Sequence, residues 1–155
     1  MLEGLAAPSA LWLASPLTAA SQASAIYRLD VKRDAGCGCC HVWADVMKAT
    51  GRFHVAMAEA ADIASYKTRL GVPPALASCH TATVEGYVIE GHVPAMDILR
   101  LLTERPKNIV GIAVPGMPRG SPGMEMQNGA RDAFNVLAFD ANGANSVFAQ
   151  YASRN

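Results

Sequence analysis

From Ile26 to Val31 apolar and polar residues alternate, the period of a half-buried strand, and the run ends in the turn Arg33-Asp34-Ala35-Gly36. From Cys40 the period changes. Val42, Trp43, Val46 and Met47 recur at helical spacing, and Gly51 stands where a helix C-cap belongs. Phe53 to Ala58 reads as a second strand. Asp62 is placed to cap a helix through Ile63, Tyr66 and Leu70, halted by Gly71 and Pro73-Pro74. Ala82 to Val84 and Tyr87 to Glu90 form a hairpin about Glu85-Gly86, and Pro94 opens a third helix through Ile98, Leu101 and Leu102. The order βαβαββα is of the α/β class and matches a thioredoxin-like architecture, in which helices cover a four-stranded sheet and reactive cysteines sit at the start of the first helix.

The flanks add three features. Residues 111–126 are dense in Gly, Pro and Met, too punctuated for a helix and more apolar than a linker, so they are expected to pack as a Met-bearing lid. Within 134–151, Asn135 to Asp140 and Ser146 to Tyr151 predict a last hairpin about Asn142-Gly143, placed either to extend the sheet edge or to pair with the region just before it. Residues 1–25 carry an apolar run, Leu5 to Leu17, and then Ala23-Ser24-Ala25, which fits a cleavage site. This reads as a signal peptide, although its start carries only Glu3 where a basic region is usual; an apolar helix that stays attached is the alternative. The run is too short for a convincing membrane span. Residues 26–155 then form a single domain that works in an oxidising compartment.

Charge excludes one class of partner. Lys plus Arg and Asp plus Glu are both 13, which leaves no electrostatic footprint for nucleic acid or an anionic membrane. Four Cys, four His and seven Met in a chain with 6% aromatic residues lean instead toward metal or redox chemistry. A chain of 155 residues buries enough apolar surface to fold without disulfide staples, so its cysteines are available for that chemistry.

Cys37-Gly38-Cys39-Cys40 overlays a Cys-x-Cys on a Cys-x-x-Cys at the predicted strand-to-helix junction. Unsatisfied N–H groups and the helix dipole there favour thiolate, which both metal binding and disulfide exchange require. The fourth thiol, Cys79 in Ser78-Cys79-His80-Thr81, lies on a loop that this architecture turns toward the same helix start. His80 can serve as ligand, proton donor or capping group, and for His92 a structural hydrogen bond competes with ligation. Met117, Met124 and Met126 are thioethers on the lid, a donor type suited to copper(I) but also common as adaptable packing. Met47 and Met57 are in phase with the core and are assigned to packing. His41 and Asp45 are one helical turn apart, close enough to pair at the surface; His54 has no evident partner.

On these motifs the chain resembles the CopG-type family of small bacterial copper-resistance proteins. The resemblance spans Ile26 to Glu125 through Cys37-Gly38-Cys39-Cys40, Leu70-Gly71-Val72-Pro73, Ser78-Cys79-His80-Thr81, Glu90-Gly91-His92-Val93-Pro94, Gly111 to Pro118 and Gly120 to Glu125. It implies a periplasmic protein that holds several copper(I) ions in a thiolate-bridged cluster and interconverts copper(I) and copper(II). Carried over, the ligands are Cys37, Cys39, Cys40 and Cys79, joined by His92, Met117 and Met124. His41 departs from the pattern, at a place where a small residue is expected.

The leading expectation is therefore copper(I) binding for resistance or homeostasis, with copper ions and other periplasmic copper-handling proteins as partners. A thiol-disulfide oxidoreductase using Cys37 and Cys40 is the alternative, but it leaves Cys39 and the Met loop without a role and lacks the expected Pro before the third strand. A zinc site would use four thiolates but gain nothing from thioethers. The spacing alone does not separate a metal carrier from an enzyme.

Overall fold

The alternation that begins at Tyr27 produces strand β1, Tyr27–Arg33, with Leu29, Val31 and Arg33 turned inward. The structure is a computed structural model and describes residues 25–155, so the expected signal peptide lies, but for Ala25, outside the described residues. Helix α1, Gly38–Ala49, buries Cys40, Trp43, Ala44 and Met47, a stripe at the i, i+3, i+4, i+7 spacing that faces a helix to a core. It starts two residues earlier than its apolar period indicates. Cys37 is the N-cap residue, and Cys39 and Cys40 lie in the first turn.

Strand β2 (Phe53–Glu59) returns parallel to β1. Helix α2, Ile63–Arg69, is capped as expected, Asp62 accepting the Ser65 N–H at 2.9 Å. A short 3-10 turn, Pro74–Leu76, leads to β3 (His80–Val84) and β4 (Tyr87–Glu90). Their hairpin turn takes positive φ at both Glu85 (49°) and Gly86 (86°), the backbone twist that two-residue hairpins favour. Pro94 precedes α3, Ala95–Glu104. The expected order βαβαββα is present.

The sheet holds one strand that the pattern did not announce. Strand β5 (Gly111–Ala113), at the front of the segment read as a lid, pairs parallel with β4. Three buried residues before a Pro carry too little pattern to announce a strand, and only pairing with a distant neighbour makes them one. The expected hairpin, β6 (Phe134–Phe139) and β7 (Asn145–Tyr151), continues from β5, giving a seven-stranded mixed sheet in the order β2-β1-β3-β4-β5-β6-β7.

Alternation along the central strands builds two cores. Ile89, Ile112, Val136 and Ala138 join Leu29, Trp43, Met47, Ile98 and Leu101 on the face covered by α1 and α3. Val88, Ala113 and Phe139 point the other way, onto Val72 and Leu76. Met47 is fully buried and Met57 packs at the margin of the first core, as assigned. Each large apolar side chain so enclosed contributes about 1.5–3 kcal/mol. Among the described residues no helix is long and apolar enough to cross a membrane.

Candidate metal centre

Strand register decides which loops meet. Arg33, the last residue of β1, pairs with His80, the first of the antiparallel β3, so the chain leaves β1 toward Cys37 beside the point where Cys79 enters β3. Thr81 pairs with Glu90 at the end of β4, which puts Gly91-His92 at the same edge, and Glu90 pairs with Ala113 at the end of the parallel β5. Val114 to Met117 therefore emerge there too. The carboxyl ends of β1, β4 and β5 and the amino end of β3 share one rim, the usual place for a site in such sheets.

At that rim the Sγ atoms of Cys37, Cys39, Cys40 and Cys79 all lie within 4.8 Å of one another. Cys39 Sγ is 3.9 Å from Cys79 Sγ and 4.0 Å from Met117 Sδ. Cys37 and Cys40 are joined as a disulfide, while Cys39 and Cys79 are free thiols. The two-residue spacing that suits a shared metal also suits this bond, and the sequence left both open.

A second group, Cys79, His80 and His92, shares the Cys79 sulfur. His92 Nδ1 is 2.8 Å from the carbonyl of Pro122. A carbonyl only accepts, so Nδ1 carries the proton and donates, and the lone pair of Nε2 is directed at Cys79 Sγ, 3.0 Å away. Burial lowers the His92 pKa, which keeps that lone pair free near neutral pH. His80 is fully enclosed, its ring 4.4 Å from that of Trp43. Burial, then the charges of His92 and Lys67, push its pKa down to about 3. Its Nδ1 is 3.4 Å from Cys79 Sγ, and its Nε2 has no hydrogen-bond partner among the described residues.

The Cys79 thiol is not the ready thiolate that a helix start would give. It lies off the helix, and burial first, then the adjacent Cys39, push its pKa up to about 12. A soft cation must displace its proton to bind.

A buried network that sequence reasoning missed holds the Cys79 loop. Glu90 accepts the Ser78 N–H at 2.6 Å and the Thr81 hydroxyl at 2.6 Å, and pairs with Lys67 Nζ at 2.6 Å. Burial pushes the Glu90 carboxyl up, against the pull of Lys67. The available signal was a charged residue ending an otherwise apolar strand, Tyr87-Val88-Ile89-Glu90. Gly91 next to it has φ of 72°, and a Cβ there would meet Ser78 Oγ at 2.5 Å and Val114 O at 2.6 Å. Only glycine fits that approach.

The segment after β5 folds back over the rim. A Cβ on Gly123, whose φ is 83°, would lie 2.7 Å from the Trp43 backbone nitrogen, so the loop rests directly on α1. Trp43 Nε1 donates to Val93 O at 3.0 Å and ties α1 to the turn carrying His92. Met117 is brought to the cysteines, exposed at their outer side. Met124 is half-buried in the turn closed by its N–H on Ser121 O, and its sulfur is not among the contacts that join the cluster. Met126 is exposed. His41 and His54 are exposed on α1 and β2, and Asp45 pairs with Lys48 at 3.0 Å rather than with His41.

Sulfur, thioether and neutral imidazole converging on one rim form a donor set for soft metals, copper(I) foremost. Residues 76–124 match a family described as a protein of unknown function, DUF411. Two solved structures, "Copper resistance protein copG- Form 1" and "Form 2", are 47% and 46% identical to this chain, with a TM-score of 0.75 in each case. The match covers 81% of this chain and 97% and 98% of theirs. No curated protein matches the chain.

Proposed function

The chain belongs to the family of the copper resistance protein copG, and from that premise we propose that it is a periplasmic copper(I)-binding protein of copper resistance and homeostasis. One observation carries the reading: four cysteine sulfurs within 4.8 Å at the shared rim of the sheet. Copper here is cargo. Once reduced, Cys37, Cys39, Cys40 and Cys79 offer four thiolates, and thiolate sulfur bridges metal ions, so the site holds more than one copper. His92 supplies a nitrogen donor, Met117 an outer thioether, and Met124 is a more distant candidate. The β1-α1-β2 and β3-β4-α3 units supply the thioredoxin-like part of the fold, and β5 to β7 are additions to it. Other periplasmic copper-handling proteins are the expected partners, and copper(I)/copper(II) cycling at the cluster is part of the proposal.

The test is anaerobic titration of the reduced protein with copper(I). More than one copper per chain is expected, with loss of capacity in Cys79→Ser; one zinc per chain and no copper uptake overturns the reading. Export is tested separately, by locating the protein in cell fractions and sequencing its amino terminus, expected near Ile26.

A second reading is favoured by the Cys37–Cys40 disulfide, which is the redox pair of a thiol-disulfide oxidoreductase. In that case insulin reduction by the metal-free protein survives Cys39→Ser and disappears with Cys37→Ser.

A further inference from the structure

The loop that folds back over the rim is closed on itself by an exposed ion pair. Arg119 Nε is 3.1 Å from both carboxylate oxygens of Asp132, and Nη2 is 2.7 Å from Oδ1. The backbone joins the same two residues: the Asp132 N–H donates to Arg119 O at 2.9 Å, and the Arg119 N–H to Asp132 Oδ2 at 3.2 Å. Most exposed ion pairs hold little, but a guanidinium set on both oxygens of one carboxylate and backed by backbone hydrogen bonds is the geometry that does hold. Residues 119–132 thus form a loop whose ends touch, with bonds of its own inside. The Gly120 N–H donates to Met124 O at 2.7 Å, and the Met124 N–H to Ser121 O at 2.8 Å.

Both legs are anchored beside this pair. On the incoming leg the Ser78 hydroxyl donates to Gly116 O, which keeps Met117 at the cysteines. On the outgoing leg Arg131 and Arg154 exchange backbone hydrogen bonds of 2.7 and 2.8 Å. The Arg119–Asp132 pair therefore decides how the legs stand to one another, and with that where the tip, Pro122-Gly123, lies. Closed, the loop sets Pro122 O on Nδ1 of the fully buried His92 and rests Gly123 on α1 at Trp43. Parted, it regains the freedom of an open chain of the same length.

We propose that Arg119 and Asp132 are positioning residues for copper exchange: their pair is the clasp of a lid, residues 119–132, that leaves His92 each time copper(I) enters or departs the inner side of the cluster. This rests on the copper-binding reading above and adds how the cargo is admitted. Neither residue contacts a donor atom, so parting them changes how often the lid is open and leaves the donors as they were. Entry and exit use one opening, and their rates rise together. A residue that only shaped the site would raise exit alone and lower the affinity.

The experiment compares Arg119→Ala, Asp132→Ala and the double variant with the parent, all fully reduced and kept from oxygen. Copper(I) in acetonitrile is supplied for uptake, and an excess of a colorimetric chelator withdraws it for release. Each variant is expected to take up and release copper(I) about fivefold faster than the parent, at unchanged copper content and affinity. The double variant should match the singles, because either change opens the same clasp. Faster release with unaltered uptake overturns the proposal, as do unchanged rates or additive effects of the two substitutions. Amide hydrogen exchange in the metal-free reduced proteins reads the lid without copper. The Gly120 and Met124 amides are expected to exchange about fivefold faster in the variants, while the Val88 amide, bonded to Val110 O in the sheet, is unmoved. Lid amides that keep the parent's rate overturn the proposal as well. A parent that takes up no copper(I) defeats the binding reading beneath it, and hydrogen exchange then still decides whether the pair closes a lid.

Discussion

His92 and Cys79 face one another across the rim, Nε2 to Sγ at 3.0 Å, with the imidazole held in one tautomer by the carbonyl of Pro122. Backbone therefore sets which nitrogen is presented to the cluster. His92→Ala is expected to weaken copper(I) binding by at least the ~10-fold that loss of a supporting partner produces at metal sites. Competition against a colorimetric copper(I) chelator measures it, and an unchanged affinity would remove His92 from the donor set.

The buried pair Lys67–Glu90 holds the Ser78 N–H and, through it, the loop carrying Cys79. Glu90→Ala strands the Lys67 ammonium in the interior and is expected to cost about 3–5 kcal/mol in urea unfolding of the metal-free protein. Replacing both partners with apolar residues, Lys67→Met with Glu90→Leu, removes the stranded charge and should destabilise less than the single change. A double variant weaker than Glu90→Ala would contradict this account.

Gly123 touches the backbone of Trp43 and adopts a φ of 83°. Gly123→Ala both strains the turn and pushes the loop off α1, at about 1–3 kcal/mol. Because the same loop carries the Pro122 carbonyl, copper(I) affinity should fall along with stability. Thermal unfolding and chelator competition on one sample check both.

Copper loading must release protons, since the Cys79 thiol, pushed up to about 12 by burial and by Cys39, holds its proton at neutral pH. The sign follows directly. Metal binds the deprotonated sulfur, so acid competes with copper and apparent affinity rises with pH, about tenfold per unit for each proton displaced. The lowered pKa of His92 keeps its nitrogen free near neutrality, so the thiols carry this dependence there. Titrations at several pH values test it, and a flat profile would mean that the thiols are not displaced.

The sequence disclosed those parts of the fold whose signals are local. Asp62 announced α2, Glu85-Gly86 the first hairpin and Pro94 the third helix, because caps and turns depend on a few adjacent residues. Strand β5 escaped notice, since three residues have no period of their own. The Lys67–Glu90 pair was equally hidden: a charge on a strand reads as exposed until its partner, 23 residues away, is known. Helical spacing put His41 within reach of Asp45, yet the Lys48 ammonium, three residues on, takes the carboxylate. Of the site, the motif around Cys37 was evident from spacing. The nearness of Cys79 came only through the expected architecture, and which thiols pair with each other was open, because Cys-x-x-Cys serves a bond and a metal alike.

Cys39 and Met117 are in contact although 78 residues separate them. In an unfolded chain, closing so long a loop before any strand has paired costs entropy that a single sulfur contact does not offset. Such a chain can offer a metal only the short run from Cys37 to Cys40. The remaining donors arrive when β3, β4 and β5 take their places, so a full complement of cargo certifies a finished sheet. Cells would then find this protein able to take its full load only once it is built.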